Sequence, residues 1–301
     1  MDSGILNIDK PAGATSHDVV ARVRRLTPGS RVGHAGTLDP MATGVLVVCI
    51  GGATRLIEYV ADASKRYRAT IRFGVTTATW DAEGEVEERR PTGGLTLEAI
   101  EAALSRFVGV IEQVPPMYSA LKRDGQPLYR LARRGITVER EPRRVHVYAI
   151  EVEGWECPDL VVHVHCSKGT YVRALAHDLG EMLGVGAHLA ALTRTAVGAF
   201  TLQEAVDLEG LLAERESGGW REHLLDASVA VRGLPRAVLD DEAARRIGHG
   251  QAVTLDVAKC TSFRGDGSEV AAFDRQGRLL AVARYDPQSG LWRPHKVLQG
   301  A

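Results

Sequence analysis

From Arg66 to Phe73 the chain alternates without interruption: Tyr67, Ala69, Ile71 and Phe73 fall on one side of an extended backbone, and Arg66, Arg68, Thr70 and Arg72 on the other. A segment with one apolar and one polar face predicts a half-buried strand, apolar side on a core and basic side in water. The run Val45 to Ile50 is apolar throughout and reads as a strand buried on both faces, while Ile5 to Ile8 and Leu160 to Cys166 read as further strands. Helical spacings lie between them. Val19, Val20, Val23 and Leu26 follow a cap at Ser16, and Leu56, Ile57 and Val60 mark a short helix. Leu97, Ile100, Leu104, Phe107 and Val108 follow a cap at Thr96, and Val172, Leu175, Ala176, Leu179 and Leu183 follow one at Thr170. Strands and helices are interspersed along the chain.

A chain of 301 residues exceeds one average domain. The stretch from Leu211 to Pro235 is charge-rich, with a Gly218-Gly219 pair and Gly233 before Pro235, and places a boundary near residue 233. Residues 1–232 then form one domain and 233–301 a second. In the second, Val270 to Phe273 and Leu279 to Tyr285 alternate around the turn Asp274-Arg275-Gln276-Gly277, so a small β-rich module is expected.

The bulk composition excludes several classes. Hydrophobic residues make up 45% and charged residues 25%, and no apolar window of about eighteen residues occurs, so a membrane span is not expected. The N-terminus shows no signal-peptide pattern, which points to the cytoplasm. Cys49, Cys157, Cys166 and Cys260 are scattered with no CxxC pair, against a disulfide framework or a zinc knuckle. His163, His165 and Cys166 are close on one strand, the two histidines on one face, but lack a third ligand at useful spacing; no metal is expected.

A formal net charge of −1 gives no general attraction to phosphate, so the distribution matters more. Between Pro115 and His146, Lys122, Arg123, Arg130, Arg133, Arg134, Arg140, Arg143 and Arg144 face only Asp124, Glu139 and Glu141. A second island, Arg22, Arg24, Arg25 and Arg31, lies in an acid-free stretch from Val19 to Leu38. Two positive islands on a neutral chain fit a polyanion footprint; a solvated helix face fits them as well.

The chemistry gathers in Gly33-His34-Ala35-Gly36-Thr37-Leu38-Asp39-Pro40-Met41-Ala42-Thr43-Gly44. Its glycines let the backbone pass close to a ligand, and Pro40 keeps Asp39 out of helical geometry. It is no Walker loop, since no Lys-Ser or Lys-Thr follows the last glycine, and no dinucleotide fingerprint, since it precedes a strand. Arg173 sits in the first turn of a predicted helix, at the positive end of the macrodipole, where either an acidic partner compensates it or it stands in solvent with the dipole penalty screened. If that partner is Asp39, the guanidinium depresses the carboxyl pKa and holds it ionised.

The loop Gly33 to Leu46 resembles the signature of TruB-type pseudouridine synthases. Four more segments follow that family's order: Leu6 to Pro11, Lys65 to Arg68, Pro116 to Lys122, and Cys166 to Arg173, covering roughly residues 4 to 210. The resemblance implies an α+β fold, with a mixed, largely antiparallel central sheet flanked by helices and loops. A thumb insertion at about 115–146 would close over the T arm of tRNA, and the terminal module would be a PUA-like RNA-binding domain. It implies isomerisation of uridine to pseudouridine at position 55 of the T loop by a base-flipping monomer that needs no cofactor and no protein partner. Asp39 would be the catalytic aspartate, Arg173 the arginine paired with it, and Tyr67 the tyrosine stacked on the uracil. His34 would hold the T loop open, Lys10 and Pro11 would support the pocket, and Leu192 would line it. Lys122, Arg130, Arg133 and Arg134 would bind RNA from the thumb. Family members often carry an aspartate where this chain has Ala78; Asp81 remains available. Residue types leave open whether Asp39 attacks C1′, adds to C6 or draws a proton from C2′. They also leave room for a tRNA-binding folding factor without turnover, and for a synthase acting on another RNA.

Overall fold

Ten strands joined in one sheet give the chain its frame, and a computed structural model describes residues 2–123, 125–255 and 268–298, with only the backbone of Lys122. Cys260 and the Lys122 side chain therefore lie outside the described residues. The chain opens with β1 (Gly4–Lys10), α1 (Ser16–Leu26), β2 (Val32–His34) and β3 (Thr43–Ile50). Helix α2 (Ile57–Asp62) leads into β4 (Lys65–Phe73) and the hairpin of β5 (Val75–Thr77) and β6 (Val86–Arg89). Next come α3 (Leu97–Leu104), β7 (Gly109–Gln113), β8 (Lys122–Arg123), β9 (Gln126–Pro127) and α4 (Leu128–Ala132). Long strands β10 (Arg143–Glu156) and β11 (Asp159–Cys166) precede α5 (Val172–Met182) and β12 (Ala187–Val197). Short β13 (Phe200–Thr201), β14 (Val206–Asp207) and α6 (Leu208–Ala213) follow. The last elements are β15 (Arg236–Val238), α7 (Asp241–Gly248), β16 (Glu269–Phe273), β17 (Leu279–Asp286) and β18 (Leu291–Val297).

The large sheet runs β14-β1-β3-β12-β4-β11-β10-β7, with β2 beside β3 and β13 beside β12. Only β1 with β14 and β3 with β12 pair in parallel. The fold is thus the mixed, largely antiparallel α+β arrangement expected. Strand β4 lies centrally, and Tyr67, Ala69, Ile71 and Phe73 enter the core with residues of α3 and α5. Strand β3 is buried on both faces: Leu46, Val48 and Ile50 pack under α1 and α6, and Val45, Val47 and Cys49 pack on the other side.

Three local expectations change. Thr15, not Ser16, caps α1, in a capping box with Asp18, which frees the Ser16 hydroxyl for the neighbouring loop. Tyr171, not Thr170, precedes α5, because the Thr170 hydroxyl donates to Ser167 O instead. The outer face of β4 is not a free basic surface: Arg68 is forked onto Glu153 and Arg72 onto Asp159.

The basic insertion leaves the sheet after β7 and returns at Arg143, so Arg143 to His146 already belong to β10. Strands β8 and β9 pair only with each other. The last four strands form a separate sheet, β15-β16-β17-β18, with its own core around Ile247, Val270 and Trp292. Val231 and Leu56 pack against Phe273 and Val282, tying this sheet to the rest. No helix among the described residues is long and apolar enough to cross a membrane.

Candidate active site

The loop between β2 and β3 carries Asp39, and buried side chains hold its backbone from below. Ser16 Oγ accepts from Leu38 N at 2.9 Å and donates to Leu38 O at 3.1 Å. Lys10 is fully buried and its ammonium donates to Pro11 O, Ala14 O and Pro40 O at 2.8, 2.7 and 3.2 Å. Burial pushes its pKa down to about 8, with the Asp39 charge opposing. Arg194, on β12, is 1% exposed and donates to Val45 O, Thr37 O and Gly36 O at 2.7, 3.3 and 3.1 Å. Gly44 is held at φ +98°, and a Cβ there would fall 2.3 Å from Arg194 O, so no other residue fits where β3 leaves the loop. Asp39 is thereby aimed by a backbone whose carbonyls are satisfied by two buried cations.

Arg173 occupies the second position of α5 and is 4% exposed. Its Nη2 donates to Asp39 Oδ1 at 3.0 Å and to Tyr118 O at 2.8 Å, and its Nη1 to Asp81 Oδ2 and Thr79 O, both at 3.2 Å. Nε lies 3.0 Å from Asp39 Oδ2 as an ion-pair contact. Two carboxylates thus compensate a cation at the unfavourable end of the helix. Asp81 is fixed in turn by the Thr79 hydroxyl and by Glu83 N at 3.1 Å. The expected depression of the Asp39 pKa is not found. Burial pushes its carboxyl above the ordinary value; Arg173 opposes that shift and Asp81 adds to it. Contacts from one guanidinium to both oxygens suit the ionised form, so Arg173 offsets part of the desolvation cost rather than reversing it.

Asp39, Arg173, Tyr67, Leu192 and Arg194 border one cavity of about 320 Å³, with Ser119 to Leu121 from the base of the thumb closing one side. That volume sits at the small end of ligand pockets, roughly 300–1,000 Å³, and suits one nucleoside, not a duplex. Tyr67 is 8% exposed, and burial raises its pKa, so the phenol stays neutral. The structure therefore brings Asp39, Tyr67, Arg173 and Leu192 together.

It does not bring the other expected residues into this cavity. Lys10 has no exposed surface with which to touch RNA; its ammonium is spent on carbonyls, one of them next to Asp39, so it holds the loop from beneath and does not line the cavity. Pro11 is half-buried and contributes a carbonyl to that cradle. His34 stands on β2 outside the cavity lining, with a buried Nδ1 that has no hydrogen-bond partner, and burial lowers its pKa. Arg130, Arg133 and Arg134 are exposed on or just after α4, away from the cavity. Ala78 is exposed and Asp81 is the acid on Arg173, so the alanine removes no charge from the pair. His163 contacts Glu153 at 2.8 Å, while His165 packs against Tyr148 and Cys166 is buried on the opposite face.

Three more side chains support the site through contacts that the local sequence does not show. Asp81 was noted only as available, since nothing local shows that its hairpin folds against α5. Arg194 has a usable signal: a cation at strand spacing from Leu192, on the face that pairs with the inward Ala69 and Tyr67. The Ser16 hydroxyl was mistaken for a cap.

The chain matches the model for the TruB family pseudouridylate synthase N-terminal domain over residues 24–172 and that for the tRNA pseudouridylate synthase B C-terminal domain over residues 173–232. It is 46% identical over 303 residues to tRNA pseudouridine synthase B of Ralstonia pickettii, covering 98% of this chain and 94% of that one. It is 43% identical to the protein of the same name from Dehalococcoides mccartyi, covering 98% and 96%. Among solved structures, a chain of an H/ACA RNP bound to a substrate RNA containing 2′-deoxyuridine is similar at 27% identity and a TM-score of 0.76, covering 99% of this chain and 85% of the other. A chain of an archaeal box H/ACA sRNP complex is similar at 28% identity and a TM-score of 0.74, covering 98% and 86%.

Proposed function

The chain belongs to the TruB family of pseudouridylate synthases and isomerises uridine to pseudouridine in tRNA, and on that footing we propose that its target is the T-loop uridine at position 55, with Asp39 as the catalytic carboxylate. The observation that carries this reading is one acid, Asp39, contacted on both oxygens by a buried guanidinium at the edge of a nucleoside-sized cavity walled by Tyr67.

The uridine leaves the loop stack and enters the cavity, where the Tyr67 ring supports the uracil and Leu192 packs beside it. The N1–C1′ bond breaks and C5–C1′ forms; C5 gives up its proton and N1 takes one up, so the formula is unchanged and no electrons are exchanged. Asp39 serves as the nucleophile or base of this sequence, whether at C1′, at C6 or at the C2′ proton. Arg173 keeps it ionised and aimed, Asp81 fixes Arg173, and Lys10 and Arg194 hold the loop. His34 sits beside the cavity, on the strand leading into the loop, where it helps keep the flipped nucleotide's neighbours apart.

In the same proposal residues 1–232 are the catalytic domain and 233–301 a PUA-like RNA-binding domain; the family models end at residue 232, and the terminal four-stranded sheet has its own core. The arginines Arg130, Arg133 and Arg134, with Lys122, engage T-arm phosphates from the thumb. The protein works alone, as a monomer in the cytoplasm. Incubation of the purified chain with unmodified tRNA transcript, without guide RNA or added protein, and mapping of pseudouridine tests this: modification confined to the T loop is expected. Turnover that required a guide RNA, or mapped elsewhere, would overturn it.

A further inference from the structure

Three rings stand in a row on the outer face of the central sheet. His146 and Tyr148 of β10 have centroids 4.4 Å apart, and Tyr148 and His165 of β11 4.7 Å apart, tilted by 41° and 46°. Tyr148 is 44% exposed. The register of β10 on β11 shifts between Val147 and Ala149, and such irregularities re-aim a side chain. Free positive charge gathers at the same end of the face. Arg66 is exposed and lies opposite His165 in register, whereas Arg68 and Arg72 farther along the strand are neutralised by Glu153 and Asp159. Arg144 precedes His146 on the same side of β10, and its 3.8 Å contact with Glu112 joins two well-exposed side chains, which holds neither in place.

The row is continuous with the pocket. His146 N donates to Ser167 Oγ at 3.0 Å and Ser167 N to His146 O at 2.8 Å, and Ser167 and Lys168 line the cavity that holds Asp39. On β4, Tyr67 faces that cavity while its neighbour Arg66 faces the rings. Burial and the Arg66 charge lower the His165 pKa, so its ring is neutral at physiological pH.

We propose that His146, Tyr148 and His165 form a stacking platform for an unpaired base of the bound tRNA outside the pocket, with Arg66 and Arg144 on the adjoining phosphates. Rings on an open sheet face flanked by cations are the chemistry by which proteins hold single-stranded nucleotides, and every base offers a π-face. The inference rests on the reading that tRNA fills the neighbouring cavity.

The test compares wild type with Tyr148→Ala, Tyr148→Phe and His165→Ala, measuring Kd for an unmodified tRNA transcript, kcat and KM for pseudouridine formation, and Tm. Tyr148→Ala should weaken Kd and raise KM about tenfold, the loss sparing kcat, while Tyr148→Phe, which keeps the ring, should match wild type. His165→Ala should show a smaller loss of the same kind. A Kd for Tyr148→Ala within about twofold of wild type overturns the platform, and a fall in Tm without loss of affinity overturns it in favour of cross-strand packing. Wild-type turnover on the same transcript checks the pocket reading separately, so either claim can fall alone.

Discussion

The loop around Asp39 and the thumb are both insertions between strands of one sheet, yet they are built in opposite ways. The loop has its carbonyls at Gly36, Thr37, Pro40 and Val45 taken by the buried cations Lys10 and Arg194, and its Leu38 amide and carbonyl taken by Ser16. The thumb has a hairpin of two two-residue strands, a five-residue helix and exposed arginines, with side-chain anchors such as Arg140 to Pro115 O and Arg123 to Glu139 O. Chemistry on one atom needs a carboxylate held in place, and satisfied buried polar groups supply that rigidity. Grip on a polyanion needs charge at the surface and tolerates adjustable side chains. Mutations should therefore divide: loop variants lose kcat, and thumb variants lose affinity and its salt dependence.

The largest expected effect is at Asp39 itself. Asp39→Asn should lower pseudouridine formation by about 10³-fold or more while tRNA Kd stays within about threefold; an equal loss of affinity would show that the side chain serves folding or binding and would erase the contrast. Next is Arg173→Ala, which leaves Asp81 buried without its cation. A loss of about 3–5 kcal/mol in unfolding free energy accompanies removal of one partner of a buried pair, and urea unfolding reads it. The same variant should move the acid limb of activity to higher pH. On the proposed role Asp39 acts ionised, so activity falls as pH drops through its pKa, and without Arg173 the upward push of burial and of Asp81 is opposed only by the Lys10 charge, the smallest of the influences.

Arg194→Lys keeps the charge but cannot span three carbonyls, so kcat should drop about tenfold with KM little changed, a figure set by roughly 1–2 kcal/mol of lost alignment. A change in KM alone would place Arg194 on the substrate instead of under the loop. Lys10 gives a signature in stability. Its folded pKa of about 8 lies below 10.5, so in that window the unfolded chain binds a proton the fold does not, and stability rises with pH. Lys65, whose pKa is also lowered to about 8, contributes likewise, so Lys10→Met should flatten the rise without abolishing it. The smallest effects belong to the thumb: Arg130→Ala, Arg133→Ala or Arg134→Ala should each weaken tRNA binding a few-fold and reduce the slope of log K against log salt by about one, with kcat intact. A thumb variant that lost kcat would break the division outright.

Much of this was legible in the chain. Period-two alternation at Arg66 to Phe73 and the apolar run at Val45 to Ile50 gave the central strands, because side-chain polarity must match what each face of a sheet meets. Asp39, Tyr67 and Arg173 were reached by resemblance of ordered motifs, with the dipole argument at Arg173 as independent support. Cap positions were misplaced by one residue at both α1 and α5, since Thr15 and Ser16, or Thr170 and Tyr171, differ in role only through a partner far along the chain.

The order of buried and exposed strand faces and the basic character of residues 115–146 were settled by local composition and spacing alone, because periodicity and charge are properties of neighbouring residues. Which acids answer Arg173, the upward direction of the Asp39 shift and the three carbonyls on which the Lys10 ammonium is spent were decided only by the tertiary structure. Desolvation and through-space partners depend on segments as much as 134 residues apart meeting at one point, and no local pattern encodes that meeting.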